Sequence, residues 1–447
     1  MAPSTVREEA ILEDVQDFTH AILAFVDDEG YPLNVATSFE TDPSSGAIRL
    51  KPPKVGPQPR EGAEVNVTFS HIRPYPGVGY DQRRYVSLWG AVRRDGGWLV
   101  VMPERSHGWD EDRLHFFELC ERSVPVGHEY MRKLSRERGE EVKPQLGLGW
   151  LIFLATRVPF LTATIVPILL GGMVARSHGV SNWWLWLLCL IGGAAIHLGL
   201  NVLNDVSDTT SGADQANVNP TMFSGGSRMI QYGLVSLNAM RVASFALYAI
   251  GIGIGLFLVA TRGIELLWIG MAGVFLSVAY TAPPFRLVYR GLGEICVALG
   301  FGPIMVLGTY FVITQELAWE PFYASLPVAI LIMLVLYVNQ IPDRPSDARA
   351  SKNTIVVRLS REKIIAGYDL SMIATYLLIA IGALTIMPAW TLLGLLTIPL
   401  ALKVHKGLSS HYEHPYELMA AMGTNIMVHL ATGLLLSVGY LIDIILT

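Results

Sequence analysis

Two acidic clusters hold the residue types and spacing that could do chemistry. The first reads Asn201-Val-Leu-Asn204-Asp205-Val-Ser-Asp208-Thr-Thr-Ser-Gly212-Ala-Asp214, and the second reads Asn339-Gln-Ile-Pro-Asp343-Arg-Pro-Ser-Asp347. Asn201, Asp205 and Asp208 stand at i, i+4 and i+7, one face of a helix, with Asn204 beside them. Asn339, Asp343 and Asp347 repeat that face at i, i+4 and i+8. Pro342 and Pro345 interrupt it, because proline removes a helix hydrogen bond and clashes with the preceding turn. A helix end running into a turn is expected there, with Asp347 turned partly away. Carboxylate and amide oxygens are hard ligands that suit Mg²⁺, which keeps waters and takes one or two carboxylates plus phosphate oxygens. Arg228 follows the first cluster, and Lys352 and Arg358 follow the second. Such cations fit an anionic diphosphate better than a bare cation pathway.

Both clusters follow runs of about twenty mostly apolar residues, the length of a membrane span. A carboxylate at such an end is costly unless paired, hydrated or metal-bound, which makes it a functional-site candidate. About nine spans are read, near 150–174, 183–204, 238–260, 264–281, 291–313, 321–341, 365–386, 389–406 and 425–446. With the N-terminus inside, the inner loops collect Arg228, Arg286, Arg290, Arg344, Arg349, Lys352, Arg358, Arg361, Lys363, Lys403 and Lys406, and the outer loops only Arg176 and Arg262. That bias follows the positive-inside rule. It predicts a multi-pass protein of the cell (inner) membrane with both clusters cytoplasmic and the C-terminus outside.

Composition agrees. Of 447 residues only 16% are charged, and the mean hydropathy is +0.41, too apolar for an ordinary soluble protein. The charge is uneven: residues 1–145 hold 18 Lys and Arg against 24 Asp and Glu, and residues 146–447 hold 15 against 14. The chain therefore divides near residue 145 into a cytoplasmic polar module, 1–145, and a membrane module, 146–447. The first twenty residues are polar and acidic, with no secretory leader expected. Cys120, Cys189 and Cys296 have no metal-type spacing and read as inert thiols. No basic tract interleaved with aromatics points to nucleic acid.

Residues 18–101 read as strands. Ala21–Val26 and Tyr31–Thr37 flank an Asp27–Gly30 turn as a hairpin. Further strands are expected at 47–51, 64–70, 84–90 and 97–101, with helical pattern returning near Asp112–Leu119. Short strands at this spacing suggest a small barrel. The fold class expected is a mainly-β barrel followed by an all-α polytopic bundle.

The two clusters resemble those of the UbiA superfamily of intramembrane prenyltransferases. Phe223-Ser-Gly-Gly-Ser-Arg228-Met-Ile-Gln231, Tyr280-Thr-Ala-Pro-Pro-Phe-Arg286-Leu-Val-Tyr-Arg290-Gly-Leu-Gly-Glu294 and Ser351-Lys352-Asn-Thr354-Ile-Val-Val-Arg358 are most similar to 1,4-dihydroxy-2-naphthoate polyprenyltransferases of menaquinone synthesis. The resemblance covers about residues 150–446. It implies that Asp205, Asp208, Asp343 and Asp347 hold Mg²⁺ and, through it, a polyprenyl diphosphate. Asn201, Asn204 and Asn339 would orient ligands, and Arg228, Arg286, Lys352 and Arg358 would grip the diphosphate. Tyr280 would face the allylic cation, and an aromatic acceptor would be alkylated within the lipid bilayer. This chain departs from the family pattern in having Ser351 where Gly is usual, Val288 where Lys is common, and Arg157-Val-Pro159 in place of Arg-Pro. The alternatives are a different acceptor, an ion-coupled transporter, or a membrane-tethered flavin reductase. The last follows from the polar module, whose strand order resembles the split barrel of pyridoxamine 5′-phosphate oxidase-like flavoproteins over residues 10–125. That resemblance implies FMN, with Lys51, Thr68, Ser70 and Arg84 as its candidate phosphate partners.

Overall fold

The computed structural model describes residues 15–54, 56–75 and 79–447; most of the polar opening, residues 1–14, lies outside the described residues. The chain forms two compact units, dividing between Cys120 and Glu121. Residues 121–145 thus fall with the helices.

The first unit is an antiparallel sheet. Strands β1 (Ala21–Val26), β2 (Pro32–Thr37), β3 (Phe39–Asp42), β4 (Ala47–Leu50), β5 (Glu64–Tyr75), β6 (Gly79–Asp95) and β7 (Trp98–Val101) pair in the order β2-β1-β5-β6-β7-β4-β3, and β8 (Arg105–Asp110) pairs with β6. The expected hairpin forms: Ala21 pairs with Thr37 and Val26 with Pro32. Asp27 Oδ1 closes its turn by accepting from the Glu29 and Tyr31 amides at 2.9 and 2.8 Å. Alternation along β1 and β5 sends Leu23, Phe25, Val67 and Phe69 into one core with Ile48, Leu50, Leu88, Leu99 and Val101. Each fully buried side chain of this kind contributes about 1.5–3 kcal/mol. Gly90 on β6 is required, since a Cβ there would lie 1.9 Å from the Met102 carbonyl oxygen.

The second unit is helical. Among the described residues, eight helices are long and apolar enough to cross a membrane: 158–177, 183–211, 237–262, 293–314, 319–339, 361–385, 389–411 and 415–446. The segment expected near 264–281 is a shorter apolar helix, Glu265–Thr281. Helix Phe116–Arg138 precedes the bundle. The helix Trp183–Ser211 shows how sequence sets these elements. Asn182 caps it, its Oδ1 accepting from the Trp184 and Leu185 amides at 3.2 and 3.1 Å, and Gly212 ends it in the left-handed region at φ +84°. Gly192 and Gly199 let helix Leu237–Arg262 approach: a Cβ at Gly199 would meet the Tyr248 ring at 3.1 Å. Small residues at a helix contact are the usual route to close packing in lipid. Large apolar side chains such as Phe245, Phe257, Trp268, Leu370 and Leu384 remain exposed on the flanks of the bundle.

Candidate active site

The helix Trp183–Ser211 carries Asn201, Asn204, Asp205 and Asp208 of the first cluster through its last turns, and Asp214 follows beyond Gly212. Asp205 turns toward the corner where Arg157 sits at φ +55°. Arg157 Nη2 donates to Asp205 Oδ1 at 2.6 Å, and the Ser227 amide donates to Oδ2 at 3.1 Å. Asn201 Nδ2 donates to the Thr156 carbonyl at 3.0 Å, bracing the same corner. Asp208 accepts from Lys352 Nζ at 3.0 Å, from Tyr289 Oη at 2.7 Å and from Asn204 Nδ2 at 3.0 Å.

The second cluster lies on a break in the chain. Helix Trp319–Asn339 ends, a turn follows, and Pro345 sits in the first turn of the short helix Arg344–Arg349. That turn brings Asp347 back toward the site instead of away. Asp347 is buried, its Oδ1 lies 3.6 Å from Lys352 Nζ, and its Oδ2 has no hydrogen-bond partner. Asp343 accepts from Asn217 Nδ2 at 2.8 Å and from the Gly225 amide at 3.0 Å. The Gly-rich loop at 225–227 therefore donates one backbone N–H to each cluster.

These groups line one polar cavity of about 90 Å³, walled by Arg157, Asn204, Asp208, Asp214, Asn217, Gly225, Gly226, Tyr280, Asn339, Asp343, Asp347 and Lys352. A second, apolar cavity of about 580 Å³ is lined by Gly192, Ile196, His197, Gly255, Gly270, Phe275, Val297, Gly300, Phe301 and Met305, among others. Tyr280 lines both. Tyr280 thus stands between a polar chamber rich in carboxylates and an oily one.

Electrostatics favour a cation in the polar chamber. Burial raises Asp343, and it pushes Asp347 up to about 7. Burial, with Asp208 and Asp205 nearby, lifts Asp214 well above the usual carboxylate range. Burial opposes the charge on Lys352, yet Asp208 and Asp347 hold it protonated. Among the described residues no three His, Cys, Asp or Glu groups form a closed metal cage. The donor set is instead open: buried oxygens of Asn204, Asn339 and Asp347 have no hydrogen-bond partner. An open shell of a few protein oxygens fits Mg²⁺, which draws the rest of its octahedron from water and phosphate.

Several expected residues lie elsewhere. Arg228 is buried with its guanidinium on Glu121, the Asp214 carbonyl and the Asn217 carbonyl. Arg286 lies over the Tyr289 ring, 5.5 Å from its centroid. Arg358 donates to the Arg290 carbonyl at 2.8 Å, out on the exposed side. Conversely, Arg157, Asp214, Asn217 and Tyr289 belong to the site without the sequence having given any of them a role. Asp214 follows Asp208 by six residues across the left-handed Gly212, a spacing that a straight helical face does not register. The other three are brought in by tertiary contacts alone.

In the strand unit the four FMN candidates do not converge. Lys51 Nζ lies 5.7 Å from the Trp98 ring centroid. Thr68 Oγ1 is taken by Asn66 Oδ1 and Ser87 Oγ at 2.8 and 2.7 Å. Ser70 is exposed on β5. Arg84 pairs with Asp17 at 3.6 Å and lies over Phe18. A cavity of about 330 Å³ includes Arg84 but none of the other three. FMN finds no support in the placement of these four residues.

Comparison with known proteins agrees with the geometry. Residues 164–425 match the model of the UbiA prenyltransferase family. The chain is 29% identical over 292 residues to 2-carboxy-1,4-naphthoquinone phytyltransferase of Synechocystis, covering 64% of this chain and 91% of the relative. It is 25% identical to 1,4-dihydroxy-2-naphthoate octaprenyltransferase of Bacillus subtilis, covering 70% and 99%. It is 30% identical to the enzyme of the same name in Mycobacterium tuberculosis, covering 54% and 79%. The alternative of an ion-coupled transporter is thereby set aside. With paired acidic clusters, a buried lysine between them and an adjoining apolar cavity, this chain belongs to the UbiA prenyltransferase family and is a multi-pass membrane prenyltransferase.

Proposed function

We propose that the protein transfers a polyprenyl group from polyprenyl diphosphate to 1,4-dihydroxy-2-naphthoate, with loss of the acceptor carboxylate, in menaquinone synthesis. The observation that carries this reading is the pair of chambers, one polar and one apolar, that share Tyr280 as a wall. The polar chamber takes the diphosphate and the apolar chamber the isoprenoid tail, which places the breaking C–O bond beside the tyrosine ring. The names of the naphthoate-prenylating relatives support the acceptor.

Asp205, Asp208, Asp343 and Asp347, with the free oxygens of Asn204 and Asn339, would hold Mg²⁺. That ion, when bound, supplies Lewis-acid neutralisation of the diphosphate. Lys352 and Arg157 grip diphosphate oxygens as charge-assisted donors. The allylic C–O bond breaks and its electron pair leaves with the diphosphate. The Tyr280 ring face steadies the cationic carbon. The electron-rich aromatic carbon forms the new C–C bond, and the carboxylate leaves as CO₂, its bonding pair restoring the aromatic ring. The dry walls of Val297, Phe301 and Met305 exclude water that would quench the cation. On this reading the chamber opens at the cytoplasmic face of the cell membrane.

The test is product mass spectrometry from membranes given several prenyl diphosphates and aromatic acceptors. A decarboxylated prenyl-naphthalenediol is expected, abolished by EDTA and restored by Mg²⁺. Asp205→Asn and Asp343→Asn keep shape but remove charge, and a loss of several kcal/mol of transition-state stabilisation implies rates down by about a thousandfold. Near wild-type rates in both variants would sink the site assignment. A product made only from a different acceptor would sink the naphthoate reading and leave the site intact.

A further inference from the structure

Glu121 and His128 lie two helical turns apart, on one face of helix Phe116–Arg138. Both lie outside residues 164–425, which carry the family match. Both nevertheless bind the loop that completes the polar chamber. Glu121 is buried, 8% exposed. Its Oε1 takes the Arg228 guanidinium, and its Oε2 accepts from Tyr232 Oη at 2.9 Å. His128 Nε2 donates to the Gln231 carbonyl at 2.9 Å.

The loop so held makes the contacts the carboxylates need. Its Gly225 and Ser227 amides donate to Asp343 and Asp205. Gln231 Nε2 donates to Asp214 Oδ2 at 3.1 Å. Arg228 itself stands at φ +61°, in the left-handed region. A non-glycine residue stays in that conformation only where its surroundings over-determine it. Here they do, through Glu121 on one side and the Asp214 and Asn217 carbonyls on the other. An unpaired guanidinium would not remain buried at that position, because an isolated charge is costly away from water.

We infer that Glu121 is a positioning residue for the active site: a segment N-terminal to the family domain supplies the anion that locks the Gly-rich loop against the carboxylates. Arg228 is then the loop's anchor and not a diphosphate ligand. His128 is the second pin of the same latch. The kinetic consequence rests on the prenyl-transfer reading, whereas the structural one does not.

The experiment uses the full-length chain with Glu121→Ala, Glu121→Gln and Glu121→Asp. Amide hydrogen exchange of residues 223–232 needs no activity. Breaking a buried ion pair should speed that exchange by about a hundredfold in Glu121→Ala, with Glu121→Gln intermediate because it keeps one neutral hydrogen bond. In the prenyl-transfer assay, Glu121→Ala should raise donor KM and half-saturating Mg²⁺ by about tenfold with kcat little changed, the signature of lost binding rather than lost chemistry. Adding Arg228→Ala to Glu121→Ala should cost little more, since the two act through one contact. Unchanged exchange and unchanged KM in Glu121→Ala would overturn the inference. So would a fall in kcat that merely tracks loss of folded protein, or losses from Arg228→Ala that multiply with those from Glu121→Ala. If wild-type protein prenylates nothing, the functional reading fails, and the exchange measurement still decides the latch.

Discussion

Ser351 stands at φ +57°, directly before the buried Lys352 that joins the two acidic clusters. The family pattern has glycine there, and the structure gives the reason. A left-handed conformation costs an L-residue roughly 1–2 kcal/mol, from which glycine is exempt. Ser351 is exposed, so no packing is lost on its removal. Ser351→Gly is therefore expected to stabilise the chain by about 1 kcal/mol or less, after the greater entropy of glycine in the unfolded state is subtracted. A thermal melt should show a small rise, with donor KM unchanged. A fall in melting temperature would mean that the serine makes a contact worth more than the backbone strain. Arg157, Arg228 and Arg286 share the left-handed conformation, and all three flank the chamber loops. At this scale the carboxylates were legible because an acid ending an apolar run has few structural excuses. Arg157 and Tyr289 were not, because their place depends on a corner and a loop folding onto a helix distant in sequence. Arg228 was legible as a candidate but its contact was not, since its partner Glu121 is 107 residues away.

The helices set the size of the apolar chamber through their glycines. Gly255 on helix Leu237–Arg262 lines it, and a Cβ there would meet nothing within 4 Å. Gly193 differs: its Cβ would press on Ile168 at 2.9 Å. Gly255→Phe should thus fill cavity space without disturbing the backbone. A phenylalanine side chain offers several carbons of new volume, comparable to a prenyl unit. The expected outcome is a shift of donor preference toward shorter prenyl diphosphates, with the rate on the shortest donor retained. Competition assays with donors of two lengths measure it, and an unaltered ratio would remove the tail from this chamber. Helix existence was legible from run length, and the break after helix Trp319–Asn339 from Pro342 and Pro345, while the end of helix Trp183–Ser211 lay seven residues beyond the span read to 204. Strands β3 and β8 were not foreseen. β3 has four residues, and β8, Arg-Ser-His-Gly-Trp-Asp, lacks an apolar alternation. Pairing with a long neighbouring strand makes β8 a strand, which a local pattern does not register.

Topology is the property of the whole helical unit that the function depends on, and it turns on helix Glu265–Thr281. Its seventeen residues rise about 25 Å, short of the roughly 30 Å hydrocarbon core. Its two ends nevertheless belong to opposite ends of the bundle. Just before it, Arg262 donates to the Val312 and Ile313 carbonyls at 2.7 and 3.0 Å, where helix 293–314 finishes. At its far end, the Thr281 carbonyl accepts from Ser207 Oγ at 2.9 Å, beside Asp208 and the polar chamber. A helix that runs between those two places is expected to cross as well, since local thinning of the bilayer would accommodate its length at modest cost. Counted with the eight longer helices it makes the number of crossings odd, so Thr447 and the chamber loops should face opposite sides. Single cysteines at Gln215, Ser351, Leu317 and Thr447, introduced one at a time into a Cys120→Ser background that removes the exposed native thiol, test this in sealed vesicles. Gln215→Cys and Ser351→Cys should react with a membrane-impermeant maleimide from one side. Leu317→Cys and Thr447→Cys should react only from the other. The basic loops predict that the first pair faces the cytoplasm. Reaction of Thr447→Cys on the chamber side would mean that one of the three helices 361–385, 389–411 and 415–446 does not cross, whereas a helix Glu265–Thr281 confined to one leaflet would put Gln215→Cys and Ser351→Cys on opposite sides. Reaction of Gln215→Cys and Ser351→Cys from opposite sides would break the shared chamber itself, since Lys352 could not then bridge Asp208 and Asp347.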